Sequence, residues 1–119
     1  MTEIAKALYA FYSSFGIPAY TEDSVPSDVQ LPYITYTMPQ SEVFSSATHQ
    51  ARVWYYGESN APANAKADEI IAAIGHAGVK LRAGKGFVCI YPGTPLAQMQ
   101  PADDTTRIVY INLELRSYV

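Results

Sequence analysis

Few side chains in this sequence could do chemistry: 119 residues include two histidines and one cysteine. His49 lies in a polar segment and His76 follows the end of a predicted helix, and neither has a Cys, His or carboxylate partner at metal-ligand spacing. We therefore interpret both as surface histidines. Cys89 lies within an apolar run, residues 87–91, and is interpreted as a small buried hydrophobe.

Two short strings resemble binding motifs without completing them. A phosphate loop requires two glycines separated by four residues, then Lys-Ser/Thr and a helix. Gly84-Lys85-Gly86 lacks this glycine spacing, the Ser/Thr and the helix and is followed by a predicted strand, so it is interpreted as a hairpin turn. Asp103-Asp104 lacks the alternating oxygen ligands of a calcium loop and is interpreted as an acidic turn. We therefore predict no catalytic, cofactor-binding or metal residues, and a protein that is not an enzyme.

Charge and composition narrow the possible classes of protein further. The net charge of −3 argues against a dedicated nucleic-acid binder. The one basic cluster, Lys80, Arg82 and Lys85, is interpreted as a solvated strand end rather than a phosphate site. Hydrophobic residues make up 49% and charged residues 16%, which excludes a disordered chain. We expect one domain over residues 1–119, complete and cytosolic when made, with no signal peptide and no membrane span.

Periodicity places two helices that would position these side chains. Residues 2–15 carry one apolar stripe at spacings of three and four, and Gly16 ends it. Residues 61–74 form the second helix, with Asn60 as the N-cap and Pro62 in the first turn.

Strands are predicted at residues 17–21, 32–38, 50–57, 79–82, 86–91 and 107–118. Alternation directs Ile34, Tyr36 and Met38 to the core, opposite Tyr33, Thr35 and Thr37. In the last strand, the odd-numbered residues from Val109 to Leu115 face the core and the even-numbered residues 108–118 face outward. Residues 39–49 and 92–106 are predicted to be long loops. The fold class is α+β, two layers, with both helices on one face of a mostly antiparallel sheet, in the order α-β-β-β-α-β-β-β.

An abundance of tyrosine, ten residues against four Phe and one Trp, points to contact surfaces. The candidate interface residues are outward tyrosines and apolar residues of the two long loops: Tyr33, Val43, Phe44, Leu96, Met99, Tyr110 and Tyr118. The alternative for the tyrosines is that they are half-buried cross-strand partners.

The order of elements and several strings along the chain resemble those of tail terminator proteins, the tail completion or head–tail joining family of long-tailed bacteriophages and prophages. The most specific is Leu-Pro-Tyr-Ile-x-Tyr, present at residues 31–36. The others are Leu8-Tyr9, the acidic loop within 17–28, the aromatic strand 52–56, the Ala-x-Asp-x-Ile helix 67–71, and Tyr110-Ile111-Asn112-Leu113.

This resemblance implies a structural role without a cofactor. Members form a ring, usually a hexamer, that caps the tail tube, ends tail polymerisation and presents the surface that joins the head. The implied partners are copies of the chain, the tail tube protein and head–tail connector proteins. DNA would pass through the ring without specific binding, and the location would be the head–tail junction of the virion, after assembly in the host cytoplasm. The alternatives are another connector or neck protein, or a small ligand-binding or enzymatic α+β domain.

Overall fold

In the described part of the chain, six strands form one sheet, and two helices pack on one of its faces. The computed structural model describes residues 3–38, 46–57, 59–101 and 105–118. The elements in chain order are α1 (Glu3–Ser13), β1 (Ala19–Thr21), a single 3-10 turn (Glu22–Ser24), β2 (Tyr33–Tyr36), β3 (Ser46–Tyr56), α2 (Ala61–Ile74), β4 (Val79–Ala83), β5 (Gly86–Pro101) and β6 (Thr106–Tyr118). The predicted α+β class and element order are confirmed.

The strands lie in the spatial order β1-β2-β3-β6-β5-β4. β1 is parallel to β2, and every other neighbouring pair is antiparallel. The central pair, β3 and β6, is in continuous register from Ser46 opposite Arg116 to Tyr56 opposite Thr106. α1 packs against both edge strands, β1 and β4, whereas α2 packs over β3, β6 and β5. The sheet therefore curls around α1.

The core lies between the helices and one face of the sheet. α1 contributes Ile4, Leu8 and Tyr12, and α2 contributes a stripe that begins with Ala63 and Ala67. The facing side chains alternate along the strands, as predicted for β2 and β6: Ile34, Tyr36, Ala51, Val53, Val88, Ile90, Val109, Ile111, Leu113 and Leu115. Burial of these apolar side chains supplies most of the stability of the fold.

Backbone groups at both ends of α2 have hydrogen-bond partners, but the side chain of Asn60, the predicted N-cap, is not one of them. The hydroxyl of Ser59 accepts a hydrogen bond from the backbone N–H of Ala61 at 3.1 Å, whereas the Asn60 side chain makes no capping bond. At the other end, the N–H of Gly75 donates to the carbonyl of Ile71. No helix in the described part of the chain is both long and apolar enough to cross a bilayer.

β3 begins earlier than the predicted strand 50–57. Its first four residues, 46–49, continue the pairing with β6, and so they belong to the sheet rather than to a loop. Residues 39–45 of that predicted loop lie outside the described residues. Residues 46–49 are mostly polar, a composition typical of loops. Hydrogen bonding to a neighbouring strand can hold such a segment extended, because tertiary pairing overrides local preference.

The predicted loop 92–106 is also wrong over residues 92–101 and at Thr106, because β5 continues to Pro101 and β6 starts at Thr106, while residues 102–104 lie outside the described residues. The register shifts between Pro92 and Ala97, where extra residues bulge from the ladder. Beyond Ile90 the described chain places no strand on the other side of β5. Prolines are tolerated there, since an edge strand needs only one set of hydrogen bonds.

Ile108 was expected to face outward and is 4% exposed. It lies on the predicted face, opposite Trp54 in the β3–β6 ladder. The predicted direction of the side chain is therefore right, and only its expected exposure to solvent is wrong.

Gly78 is a site where backbone geometry and packing coincide. It precedes β4 with φ +85°, and a Cβ there would lie 2.5 Å from Cδ1 of Tyr91 and 2.7 Å from the carbonyl oxygen of Ile90. Gly16 has nearly the same φ, +87°, but nothing within 4 Å of a built Cβ.

We therefore predict that Gly78→Ala destabilises the fold more than Gly16→Ala. Both variants incur left-handed strain of about 1–2 kcal/mol. Only Gly78→Ala adds a steric conflict with backbone, of the order of 1–3 kcal/mol. Urea unfolding of the two variants measures the difference, and equal free energies of unfolding would contradict the packing described for Gly78.

Candidate functional site: the helix-free face of the sheet

The face of the sheet that carries no described helix is rich in aromatic and cationic side chains. We call it the helix-free face. Strand alternation and the ladder registers place on it Tyr20 of β1, Tyr33 of β2, Trp54 and Tyr56 of β3, Tyr110 and Tyr118 of β6, and Phe87 and Tyr91 of β5. Such a concentration of aromatic side chains on an uncovered sheet face is typical of a contact surface.

One half of this face is an aromatic cluster over β1, β2 and β3. Tyr33 lies directly opposite Trp54, and their rings stack with centroids 5.6 Å apart and an interplanar angle of 16°. Tyr20 meets Tyr33 edge-on at 6.1 Å. The indole Nε1–H of Trp54 donates to Oγ1 of Thr35 at 2.9 Å, which satisfies a hydroxyl that is almost fully buried. The indole is therefore held in one orientation.

Three cations lie over aromatic rings on the same face. The guanidinium of Arg52 is 5.0 Å from the ring centroid of Tyr110, and that of Arg116 is 4.9 Å from the ring of Tyr91.

Nearer the β4 edge, Nζ of Lys80 is 4.3 Å from the ring of Phe87. Each pair joins neighbouring strands, so cation–π attraction adds to the strand pairing. These contacts also fix where positive charge is presented.

A line of polar side chains crosses the middle of the helix-free face, and we call it the polar ladder. Oε1 of Glu22 is 3.1 Å from Nη1 of Arg52, and Nε of Arg52 donates to Oε1 of Gln50 at 3.0 Å. Nε2 of Gln50 donates to Oδ1 of Asn112 at 3.0 Å, and Nδ2 of Asn112 donates to Oε1 of Gln98 at 3.2 Å. The ladder therefore links β3, β6 and β5 to the 3-10 turn after β1.

The three predicted interface tyrosines lie on this face with different environments. Tyr33 and Tyr110 are half-buried and have cross-strand partners, Trp54 and Arg52, as the alternative interpretation expected. Burial also raises the pKa of Tyr33. Tyr118 is 53% exposed near the end of β6.

Of the loop residues of the predicted interface, Leu96 lies on the helix side of the sheet, away from the tyrosines. Leu96 is in the irregular part of β5, half-buried, and packs against the core. The backbone of Met99 pairs with Val109 in the same strand. Val43 and Phe44 lie outside the described residues, as does the pair Asp103-Asp104.

Leu96 also lines an apolar cavity of about 340 Å³ between the end of α2 and the β5–β6 pair. Ile71, Ile74 and Leu113 form most of its wall, and the exposed His76 is at its rim. The cavity is on the helix side of the sheet, so it is separate from the helix-free face.

His49 is the clearest error among the sequence-based predictions. It is 3% exposed rather than on the surface, because β3 alternation places it on the core face with Ala51 and Val53. Its Nε2 is 2.7 Å from the hydroxyl of Tyr12, and its Nδ1 is 3.1 Å from Oγ1 of Thr37. Both ring nitrogens are therefore engaged within the fold.

Burial shifts the proton affinities in this cluster. Desolvation lowers the pKa of His49 from 6.5 to about 4, because the imidazolium would be removed from water. Desolvation likewise raises the pKa of the Tyr12 hydroxyl, with a smaller contribution from Tyr36, whose ring stacks on it at 4.7 Å. The neutral forms are the stable ones in the fold.

The remaining candidates for chemistry stay apart. Cys89 is buried with a free thiol, as predicted, and Gly84-Lys85 forms the two-residue turn between β4 and β5. Within the described ranges, no group of three or more His, Cys, Asp or Glu side chains could hold a metal ion.

Comparison with protein-family models, with curated proteins and with solved structures found no match to this chain. The helix-free face is accordingly described from its own geometry. The sequence pattern did not mark Trp54, Arg52 or the polar ladder as functional. One signal could have found part of it: alternation through residues 50–57 places Gln50, Arg52 and Trp54 on the face opposite Ala51 and Val53.

The lowered pKa of His49 predicts a pH dependence of stability. Between pH 6.5 and about 4 the unfolded chain binds a proton at His49 and the folded chain does not. The free energy of unfolding therefore falls as the pH is lowered through this window, by up to about 3 kcal/mol. Denaturant unfolding at a series of pH values measures the slope.

His49→Gln should remove that contribution, and His76→Gln, which alters an exposed histidine, should keep it. A slope that is the same in wild type and His49→Gln would contradict the buried, neutral state of His49.

Proposed function

We propose that this chain is a non-enzymatic phage structural protein that caps the tail tube as a ring, ends tail polymerisation and forms the head–tail joining surface. The observation that carries the proposal is the helix-free face, an aromatic sheet surface with no described helix over it. A protein contact suits such a face, because large rings bury much apolar area at low cost in side-chain entropy.

The exposed aromatic side chains on this face are available for contact. Tyr56 is 70% exposed and Tyr118 is 53% exposed. Phe87, at 36%, lies beside Tyr118 in the β5–β6 ladder. Together they provide anchors of the type enriched in protein interfaces.

Preorganisation supports the same function. The polar ladder and the three cation–π pairs hold charged and amide groups in defined positions before any partner arrives. A surface with fixed side chains loses less entropy on binding than a mobile one. This favours a stable structural contact over a transient encounter.

Among the described residues, the two histidines and the cysteine do not converge on one site. Both ring nitrogens of His49 are engaged on the core side, whereas His76 is at the end of α2. Cys89 is buried in β5. This arrangement supports a binding or structural function rather than an enzymatic one.

The resemblance to tail terminator proteins adds support along the chain. The observed order of helices and strands is the one on which the resemblance to that family is based. Its most specific string, Leu-Pro-Tyr-Ile-x-Tyr, includes β2 and supplies Tyr33 to the helix-free face. Another connector or neck protein could use the same face, and binding to the tube end distinguishes the two.

The direct test incubates the purified protein with tail tubes and examines tube ends by electron microscopy, with the mass in solution measured in parallel. We expect density at one end of each tube and tubes that no longer lengthen when tube protein is added. A protein that never decorates tube ends, and tubes that continue to grow, would contradict the terminator function.

The contribution of the helix-free face can be isolated with tyrosine variants. Tyr56→Ser with Tyr118→Ser should reduce capping while the free energy of unfolding changes little, since both rings are exposed. Tyr9→Ser is the matched control, because Tyr9 is 57% exposed but lies on α1. Equal capping by the double variant and the control would exclude this face as the contact surface.

Val43 and Phe44, predicted for the interface from the sequence, give a second test. Val43→Ser with Phe44→Ser should leave the unfolding transition unchanged and reduce capping, because two apolar residues in a polar segment are expected to contact a partner. An unfolding transition shifted to lower denaturant would instead assign these side chains to the core.

A further inference from the structure

The two edges of the sheet carry opposite charge. β4 is one edge, and it presents Lys80 and Arg82, with Lys85 in the turn that follows. We call these three residues the basic edge. All three are exposed, and none has an ion pair among the described residues.

The other edge is β1. It is followed by the 3-10 turn, which contains Asp23, and then by a loop, which contains Asp28. We call these two aspartates the acidic edge. Both are exposed, and neither has a cationic partner within the described residues. The adjacent Glu22 is paired with Arg52 at 3.1 Å, so its negative charge is already compensated within the chain.

Each edge also has a side chain that reaches the helix-free face. Lys80 lies over the ring of Phe87, which is on the helix-free face. Glu22, next to Asp23, reaches Arg52 on that face. A contact between the basic edge of one copy and the acidic edge of the next would pair these opposite charges.

We propose that the partner of the basic edge is a second copy of this chain, which presents its acidic edge in a head-to-tail contact. The inference rests on the proposed function, since this contact would be the lateral interface of the ring. A two-fold contact through either edge would place like charges together, which is unfavourable. A head-to-tail contact uses both edges of every copy and closes into a ring if its rotation permits.

Short edge strands fit this arrangement. β1 has three residues and β4 has five, and the edge that β5 forms beyond Ile90 carries prolines, so none of these edges offers a long ladder for strand addition. Complementary charge would then select the partner and its register, while the exposed ring of Phe87 adds apolar contact at the basic edge.

Two charge-reversal variants test the contact. One carries Lys80→Glu and Arg82→Glu, and the other carries Asp23→Lys and Asp28→Lys. Association of each variant alone should be weaker than that of the wild type by about tenfold or more, because like charges then meet at every contact. An equimolar mixture should regain association, since the reversed edges complement each other. Native mass spectrometry of the protein in solution, and of protein released from tube ends after crosslinking, measures the oligomer.

Asp68→Lys is the control, because it reverses an exposed charge on α2, which packs over the central strands, and it should leave association unchanged. Far-UV circular dichroism and thermal unfolding establish that each variant is folded. Wild-type association should also weaken as salt is added. A mixture that stays as dispersed as the separate variants would overturn the proposal, as would a wild type that self-associates neither in solution nor on tubes.

The outcomes separate this inference from the proposed function. If both reversal variants still form oligomers and cap tubes, the edge contact is wrong and the capping function stands. If the mixture reassembles in solution but no form of the protein binds tube ends, the edge contact stands and the capping function fails. If Lys80→Glu with Arg82→Glu abolishes binding to a single-stranded DNA oligonucleotide and leaves self-association intact, the basic edge is a phosphate site and the proposal is overturned.

Discussion

The rest of the structure depends on the antiparallel pairing of β3 and β6 at the centre of the sheet. This ladder runs without a register shift over the full length of β3 and sets which side chains face the helices. A slip of one residue would exchange the two faces of a strand, moving Val53 and His49 out of the core and Trp54 and Arg52 into it. The core, the buried His49 cluster and the polar ladder all follow from this register.

The two faces of the sheet are stabilised differently. On the helix side, apolar side chains of α1 and α2 close a continuous core over the strands. On the helix-free face, the side chains are held by one another, through the stack of Tyr33 on Trp54, the cation–π pairs and the polar ladder. These cross-strand contacts order the face but leave rings such as Tyr56 exposed to solvent. A face that is ordered and still exposed is the physical basis for assigning it a partner.

Alternation and helical periodicity predicted much of this arrangement. The core residues of β6, the face of β2 that carries Tyr36, and the bounds of α2 agree with the sequence-based expectation. These elements have clear patterns, because one side of each packs on the core. The outward direction of Tyr33 and Tyr110 followed from the same alternation, but their stacked and cation–π partners could not, since partners depend on the order of strands in space.

The errors occurred where tertiary pairing decides the outcome. Residues 92–101 are rich in proline and glycine and yet form a strand, because only one side of β5 is paired there. His49 has polar neighbours in sequence and still enters the core, where Tyr12 from α1 and Thr37 satisfy its ring. Neither partner is adjacent in sequence, so no local pattern indicates them. The polar ladder escaped prediction for the same reason, because it joins residues of separate strands.

The single tryptophan of the chain, Trp54, is a natural reporter of the central claim that protein covers the helix-free face in the assembled state. Replacing it with 5-hydroxytryptophan during expression allows selective excitation in the presence of tail tubes. The measurement is acrylamide quenching of this residue, free and bound to tube ends. The account predicts markedly weaker quenching in the bound state, because a partner would shield the indole. Bound protein that is quenched as readily as free protein would show that the face remains open to solvent, and would contradict the account.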